Sequence, residues 1–158
     1  MDYSFDGEKL LGTGGALKKA LPKLSDDFFV MYGDSFIEPE FDKIYQHYLN
    51  VGKKAIVVVY KNFDRWDKSN IIYKNGIILE YDKKNKLPEM DYIDWGLSLL
   101  NKKHFESIEE GKETDLSEIL KSLADKKELY GYEVFERFYE IGSFNGLNEV
   151  RKKIGERK

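Results

Sequence analysis

Two short segments near the start of the chain carry residue types that do chemistry. Gly12-Thr13-Gly14-Gly15 precedes the good helix former Ala16–Leu21, and a turn later Phe28-Phe29-Val30-Met31-Tyr32 runs into Gly33-Asp34-Ser35. Backbone N–H groups at a helix N-terminus can hold an oxyanion or a nucleobase edge, and an aspartate where a buried strand ends can hold a divalent cation. Together they point to nucleotide chemistry. Each also has a plainer use, since glycines serve turns and close backbone approach, and an aspartate after a strand can cap the next helix. Position favours the chemical use of Asp34, because ligands of open α/β sheets bind beyond the carboxyl ends of parallel strands.

Two later segments have the same double character. Tyr92-Ile93-Asp94-Trp95-Gly96-Leu97-Ser98 reads as a strand with a glycine bulge, and Phe138-Tyr139-Glu140-Ile141-Gly142-Ser143 ends in a carboxylate beside a glycine. His47 and His104 have no Cys, His or carboxylate at ligand spacing and are read as surface or packing residues. Lys83-Lys84-Asn85-Lys86 is read as a solvated turn, with no interleaved aromatic residue to stack a base.

The elements that must position these residues follow from hydrophobic period. Phe28–Tyr32 is an apolar block without alternation, the pattern of a strand covered on both faces. Phe41, Ile44, Tyr45, Tyr48 and Leu49 fall on one helical stripe that Gly52 can end, and Ala55–Tyr60 restores a β-branched strand. Phe28–Tyr60 is therefore a strand–helix–strand unit, with a right-handed crossover and Ala55–Tyr60 beside the first strand. Asn70–Tyr73 and Ile77–Tyr81 flank Lys74-Asn75-Gly76, a tight hairpin, and Tyr92–Asp94 and Gly96–Leu100 extend the sheet. Asn101 caps a short helix around His104, and Asp115 caps a helix whose buried stripe is Leu116, Ile119, Leu120 and Leu123. Leu129–Val134 and Phe138–Ile141 read as strands, and Asn145–Ile154 as a closing helix capped near Ser143 and stopped at Gly155.

The 158 residues fit a single domain, residues 1–158. Lysine and arginine total 26 against 29 aspartate and glutamate, a net charge of -3 with both signs mixed along the chain, which argues against a nucleic-acid surface. With no cysteine there is neither a disulfide framework nor a thiolate nucleophile. The apolar runs are too short to span a bilayer and the first residues lack a signal-peptide profile, so a soluble, cytoplasmic protein with no membrane partner is expected.

The Leu-Gly-Thr-Gly-Gly-Ala loop of Leu11–Ala16 and the later Gly33-Asp34, in this order and at this separation, resemble the sugar-1-phosphate nucleotidyltransferases, most nearly the mannose-1-phosphate and heptose-1-phosphate guanylyltransferase branch. The resemblance covers essentially all of the chain. It implies an α/β, Rossmann-like fold of the GT-A type, a mixed sheet flanked by helices. It also implies transfer of a nucleoside monophosphate from a nucleoside triphosphate to a sugar 1-phosphate, giving a nucleotide sugar and pyrophosphate. By the same resemblance Gly12, Thr13, Gly14 and Gly15 contact base and ribose. Asp34 binds catalytic Mg²⁺, Asp94 and Gly96 line the sugar pocket, and Glu140 stands where the family has an aspartate as second metal ligand.

The family's Gly-Gly-x-Gly-Thr-Arg triphosphate loop is not found in this sequence, nor therefore a Pro-Lys downstream of such a loop, so it resembles an N-terminally truncated member, the later two-thirds of the family domain. Unpaired strand edges are then expected to drive self-association or to recruit a partner chain supplying the missing strands. A non-catalytic nucleotide-sugar binding or interaction module is the alternative. A family-A glycosyltransferase is less similar, because its Asp-x-Asp metal motif is not met by Asp34-Ser35-Phe36.

Overall fold

In a computed structural model, residues 2–155 are described. A six-stranded mixed sheet, in the order β1-β6-β3-β7-β5-β4, carries helices on both faces, and a separate two-stranded ribbon, β2-β8, lies beyond it. The strands are β1 Asp27–Met31, β2 Ser35–Phe36, β3 Ala55–Lys61, β4 Ile71–Lys74, β5 Ile77–Tyr81, β6 Tyr92–Asn101, β7 Leu129–Val134 and β8 Tyr139–Glu140. The helices are α1 Gly12–Ala20, α2 Phe41–Asn50, α3 Leu116–Asp125 and α4 Phe144–Gly155.

The period of two in β3 builds the core. Ala55, Val57 and Val59 face one side, where α3 delivers Leu116, Ile119, Leu120 and Leu123 and α1 adds Leu17. Ile56 and Val58 face the other, against Ile44 and Tyr48 of α2 and Trp95, Leu97 and Leu99 of β6. A strand buried on both faces needs this unbroken run of apolar residues, and Ala55–Val59 are all fully buried.

That description was expected of Phe28–Tyr32 and does not hold there. β1 is an edge strand, hydrogen-bonded among the described residues only to β6, with Phe28 buried and Met31 54% exposed. β6 lies between β1 and β3, antiparallel to both, so the two ends of the strand–helix–strand unit are parallel but not adjacent. An apolar block shows that a segment is partly buried and leaves its place in the strand order open.

Local chemistry sets the remaining elements. Asn75 and Gly76 take φ of 54° and 82°, the left-handed pair that a two-residue hairpin between β4 and β5 requires. Tyr92–Leu100 is one continuous strand, bulged where Gly96 takes φ of 95° and the register with β3 shifts between Val57 and Val59. The Asn101 side chain accepts from Lys103 N–H at 3.0 Å and His104 Nδ1 accepts from Asn101 N–H at 3.1 Å, a reciprocal cap on the short helix. Asp115 caps α3 by accepting from Ser117 N–H at 2.7 Å. Ser143 accepts from Gly146 N–H at 3.1 Å at the start of α4, which runs through Gly155. No helix among the described residues is long and apolar enough to cross a membrane.

Candidate functional site

β1, β3 and β7 run parallel to one another, and the segments that follow them converge. Asp34 and Ser35 come after β1, the 62–70 loop after β3, and Phe138 and Glu140 after β7; the antiparallel β6 enters at the same end with Ile93–Gly96. Together with Asp82–Lys84 they wall a cavity of about 470 Å³. Asp34, Asp94, Gly96 and Glu140 all line it.

Asp34 is fixed through its backbone. Its carbonyl accepts from Ile141 N–H at 2.8 Å, and the next residue, Ser35, pairs with Glu140 across the β2–β8 ribbon. The two carboxylate-bearing segments are thus stitched together. Glu140 has its own seat. A Cβ at Gly142 would lie 2.5 Å from Glu140 Oε1, and one at Gly146 would lie 1.7 Å from the Glu140 carbonyl oxygen and 3.1 Å from Oε2. Glycine at 146 is required for the Glu140 backbone to pass the first turn of α4, where peptide dipoles favour a carboxylate, and glycine at 142 leaves the Glu140 side chain space in its present position. Two carboxylates are a usual protein contribution to a Mg²⁺ that keeps waters or substrate phosphate as its other ligands, so the hard oxygen donors Asp34 and Glu140 fit such an ion. No group of three or more His, Cys, Asp or Glu placed to hold a metal by themselves occurs among the described residues.

Asp94 is buried, and both of its oxygens are engaged inside the protein. Oδ1 accepts from Gly96 N–H at 2.9 Å, and Oδ2 accepts from the Tyr81 hydroxyl at 2.8 Å. Lys83 Nζ stands 3.8 Å from Oδ2 and 4.9 Å above the Tyr32 ring. Burial, with Asp94, Asp115 and Asp34 nearby, pushes the Tyr32 phenol far above its ordinary range, so it stays a neutral platform. The carboxylate holds the Gly96 bulge and a lysine at the cavity wall. The Gly96 carbonyl also accepts from Tyr32 N–H at 3.2 Å.

The Lys83–Lys86 turn differs from its reading as a merely solvated one. Asp82 accepts the N–H groups of Lys84 and Asn85, each at 2.8 Å, and these bonds hold its carboxyl well below the usual range. The turn is thereby fixed, and Lys83, Lys84 and Lys86 line the cavity with Lys68. The sequence signal was available: an aspartate immediately before the lysines, at the end of a strand. Asp67, Ser69 and Asn70 were not anticipated either; they arrive on the loop that buried Asn62 braces by donating to Asp67 O at 2.6 Å.

Gly12–Gly15 do not line this cavity. They form the first turn of α1, not a loop ahead of it, and pack on the segment before α3. Gly14 and Gly15 N–H donate to Thr114 O at 2.8 and 3.1 Å, while Thr13 Oγ1 accepts from Leu116 N–H at 2.8 Å and so helps cap α3. A Cβ on Gly12 would lie 2.6 Å from Thr114 O and one on Gly15 2.6 Å from Lys112 O. The space these glycines leave is filled by the backbone of Lys112–Asp115 together with the Ile119 and Leu11 side chains. Their geometry is accounted for by helix packing, and the N–H groups of Gly14 and Gly15 are already spent.

Comparison with known proteins bears on the fold and the family. The chain is 34% identical over 144 residues to a bifunctional protein GlmU of Methanococcus maripaludis, covering 85% of this chain and 33% of that protein. It is 25% identical over 159 residues to a D-glycero-alpha-D-manno-heptose 1-phosphate guanylyltransferase of Aneurinibacillus thermoaerophilus, covering 98% and 67%. UTP-bound UGPase from Acinetobacter baumannii superposes with a TM-score of 0.75 at 17% identity, over 94% of this chain and 57% of that one. This is a sugar-1-phosphate nucleotidyltransferase-like chain. Its fold is the GT-A-like one of those enzymes. The nucleotidyltransferase-like chain spans about a third of the length of the Methanococcus protein. No family model matches it.

Proposed function

We propose that the cavity binds a sugar 1-phosphate, or the sugar-diphosphate part of a nucleotide sugar, in a nucleotidyltransferase reaction. One observation carries the reading. Asp34, Gly96 and Glu140, from three distant parts of the chain, meet at one cavity whose wall also holds Lys68, Lys83, Lys84 and Lys86. Carboxylates and ammonium groups around one concave, polar site suit a ligand that has phosphate to be neutralised and hydroxyls to be hydrogen-bonded.

In the proposed chemistry an oxygen of the sugar phosphate attacks the α-phosphorus of a nucleoside triphosphate in line, and pyrophosphate leaves with its electron pair. Positioning and charge stabilisation are the protein's task, with no covalent enzyme intermediate. Lys83, held between Asp94 and the Tyr32 ring, presents a fixed positive charge to the sugar phosphate. The Gly96 bulge brings backbone close to the sugar. Asp34 and Glu140 would hold Mg²⁺, which when bound offsets phosphate charge that otherwise repels the attacking oxygen.

A second reading, a sugar-phosphate binding module without turnover, is favoured by one feature: Gly14 and Gly15 spend their N–H groups on Thr114 rather than presenting them to a base. The two readings separate in one experiment. Purified protein is incubated with glucose 1-phosphate or mannose 1-phosphate, each triphosphate and Mg²⁺, while pyrophosphate release and sugar-phosphate binding are followed together. Binding with release supports the enzyme, binding without release supports the module, and neither would defeat the assignment of the cavity.

A further inference from the structure

We propose that Arg137 is a positioning residue: stacked between Trp66 and Tyr139, it clasps the 62–70 loop to the β8 segment and so fixes the width of the cavity between them. That a sugar phosphate occupies this cavity rests on the function proposed above; the clasp itself does not.

The observations are geometric. The Arg137 guanidinium carbon lies 3.4 Å from the centroid of the Trp66 ring and 4.3 Å from that of Tyr139, so the planar cation is sandwiched. Its remaining hydrogen bonds lock that orientation: Nη2 donates to Glu149 Oε2 of α4 at 2.6 Å and Nε donates to Phe138 O at 3.2 Å. The segment bearing Arg137 is anchored to the sheet, since buried Trp95 donates through Nε1 to Glu136 O at 2.8 Å.

The loop opposite is stiff within itself and held at both ends, where Asn62 and Phe63 N–H donate to Asp91 O at 2.8 and 3.0 Å and Asn70 N–H donates to Tyr92 O at 2.9 Å, while Lys86 pairs with Asp64; toward β8, Trp66 meets Arg137. Asn62 accepts from Trp66 N–H at 3.3 Å, Asp64 accepts from Ser69 N–H at 2.7 Å, and Phe63 and Asp64 take left-handed φ of 49° and 58°. A loop braced in this way moves as a unit. Trp66 is 46% exposed, so its contact with Arg137 is not enforced by burial in a core. On one side the loop supplies Asp67, Lys68, Ser69 and Asn70 to the cavity; on the other, the residues after Arg137 supply Phe138 and Glu140. A single stacked guanidinium therefore joins two walls of one site. Arginine suits the task better than lysine, because its flat, weakly hydrated cation can stack on two rings while donating in its own plane.

The test uses the whole chain. Amide hydrogen exchange is measured across residues 62–70 in wild type, Arg137→Met, Arg137→Lys and Trp66→Leu, with the far-ultraviolet spectrum and unfolding midpoint as controls for folding. A cation–π contact of ordinary strength predicts exchange in the loop faster by roughly three- to thirty-fold in Arg137→Met, with β3 and β6 unchanged. Arg137→Lys should fall between. Trp66→Leu should match Arg137→Met, and the double variant should add nothing, since both remove one contact. Acrylamide quenching of tryptophan should rise in Arg137→Met, because Trp95 is buried and Trp66 alone is uncovered.

UDP-glucose with Mg²⁺, bound between the two walls, should slow exchange across residues 62–70 in wild type and narrow the gap between wild type and Arg137→Met, because a ligand that needs the closed loop shifts the loop toward that state. Unchanged exchange in folded Arg137→Met, or fully additive effects of the two substitutions, would overturn the clasp. Faster exchange in Arg137→Met that saturating UDP-glucose does not slow, while the ligand binds, would overturn its role at the site. Failure of wild type to bind UDP-glucose or glucose 1-phosphate would instead count against the function proposed for the cavity, and the exchange data would still decide the clasp.

Discussion

Gly15→Ala distinguishes a packing glycine from a ligand-binding one, and its magnitude follows from the contacts. The added methyl would sit 2.6 Å from Lys112 O and 3.0 Å from Leu11 Cβ, and the first of these is backbone that no rotamer change can relieve. Overpacking of this kind costs about 1–3 kcal/mol. Moving the strand of chain at 112–114 outward also loosens the bonds from Gly14 and Gly15 N–H to Thr114 O and from Thr114 N–H to Leu11 O, each contributing about 1 kcal/mol. Against this, alanine is the better helix former by about 1 kcal/mol. The balance is a loss of about 2 kcal/mol, which in a domain of this size lowers the unfolding midpoint by roughly 4–8 °C. Urea unfolding followed by circular dichroism measures it, with Gly155→Ala as the control, since nothing lies within 4 Å of a Cβ there. Far below the midpoint, nucleotide-sugar affinity of Gly15→Ala should equal that of wild type. Unchanged stability with lost affinity would refute the reasoning and favour a nucleotide contact at Gly15.

Other expectations follow from the same contacts. Tyr81→Phe removes a 2.8 Å bond to the buried Asp94 carboxylate and should destabilise by about 1.5–3 kcal/mol in urea unfolding, because a charged acceptor is left short of a partner. Lys83→Met should weaken glucose 1-phosphate binding several-fold in calorimetric titration and flatten its dependence on ionic strength, and should lower the unfolding midpoint less than Tyr81→Phe does, since the lysine is partly exposed and stands 3.8 Å from Asp94 Oδ2. Burial pushes His104 down to about 4, so between pH 6.5 and 4 the unfolded chain binds a proton that the folded one does not. Stability should therefore fall as pH drops through that window, and His104→Gln, which keeps an acceptor for Asn101 N–H, should have a shallower acid slope in unfolding free energy.

Elements whose cause is local were legible in the sequence. Asn75-Gly76 turns where its residue types require, and Asp115 and Asn101 cap the helices they precede, because each acts on backbone within a few residues of itself. Strand order was not legible. Phe28–Met31 has the composition of a central strand yet lies at an edge, since its neighbour is chosen by β6, whose sequence lies far downstream. At the site, Asp34, Asp94, Gly96 and Glu140 were singled out and meet at one cavity, whereas Gly12–Gly15 were singled out and pack elsewhere. Glycine marks close approach without saying what approaches; here it is the backbone of Lys112–Asp115. Lys83–Lys86 show the converse, because a polar turn is the same string of letters whether it faces bulk water or a cavity.

The central claim is that the cavity built on Asp34 and Glu140 takes a sugar phosphate together with a divalent cation. Calorimetric titration of UDP-glucose into wild type and Asp34→Ala, each with and without Mg²⁺, tests it most directly, because Asp34 lies outside the hydrophobic core and is held through its backbone, so its side chain is removable. The account predicts that Mg²⁺ tightens binding in wild type, that Asp34→Ala loses ten-fold or more of the Mg²⁺-dependent affinity, roughly 1.4 kcal/mol, and that the variant unfolds at the wild-type midpoint. Equal affinity in the two proteins, or binding indifferent to Mg²⁺, would contradict it.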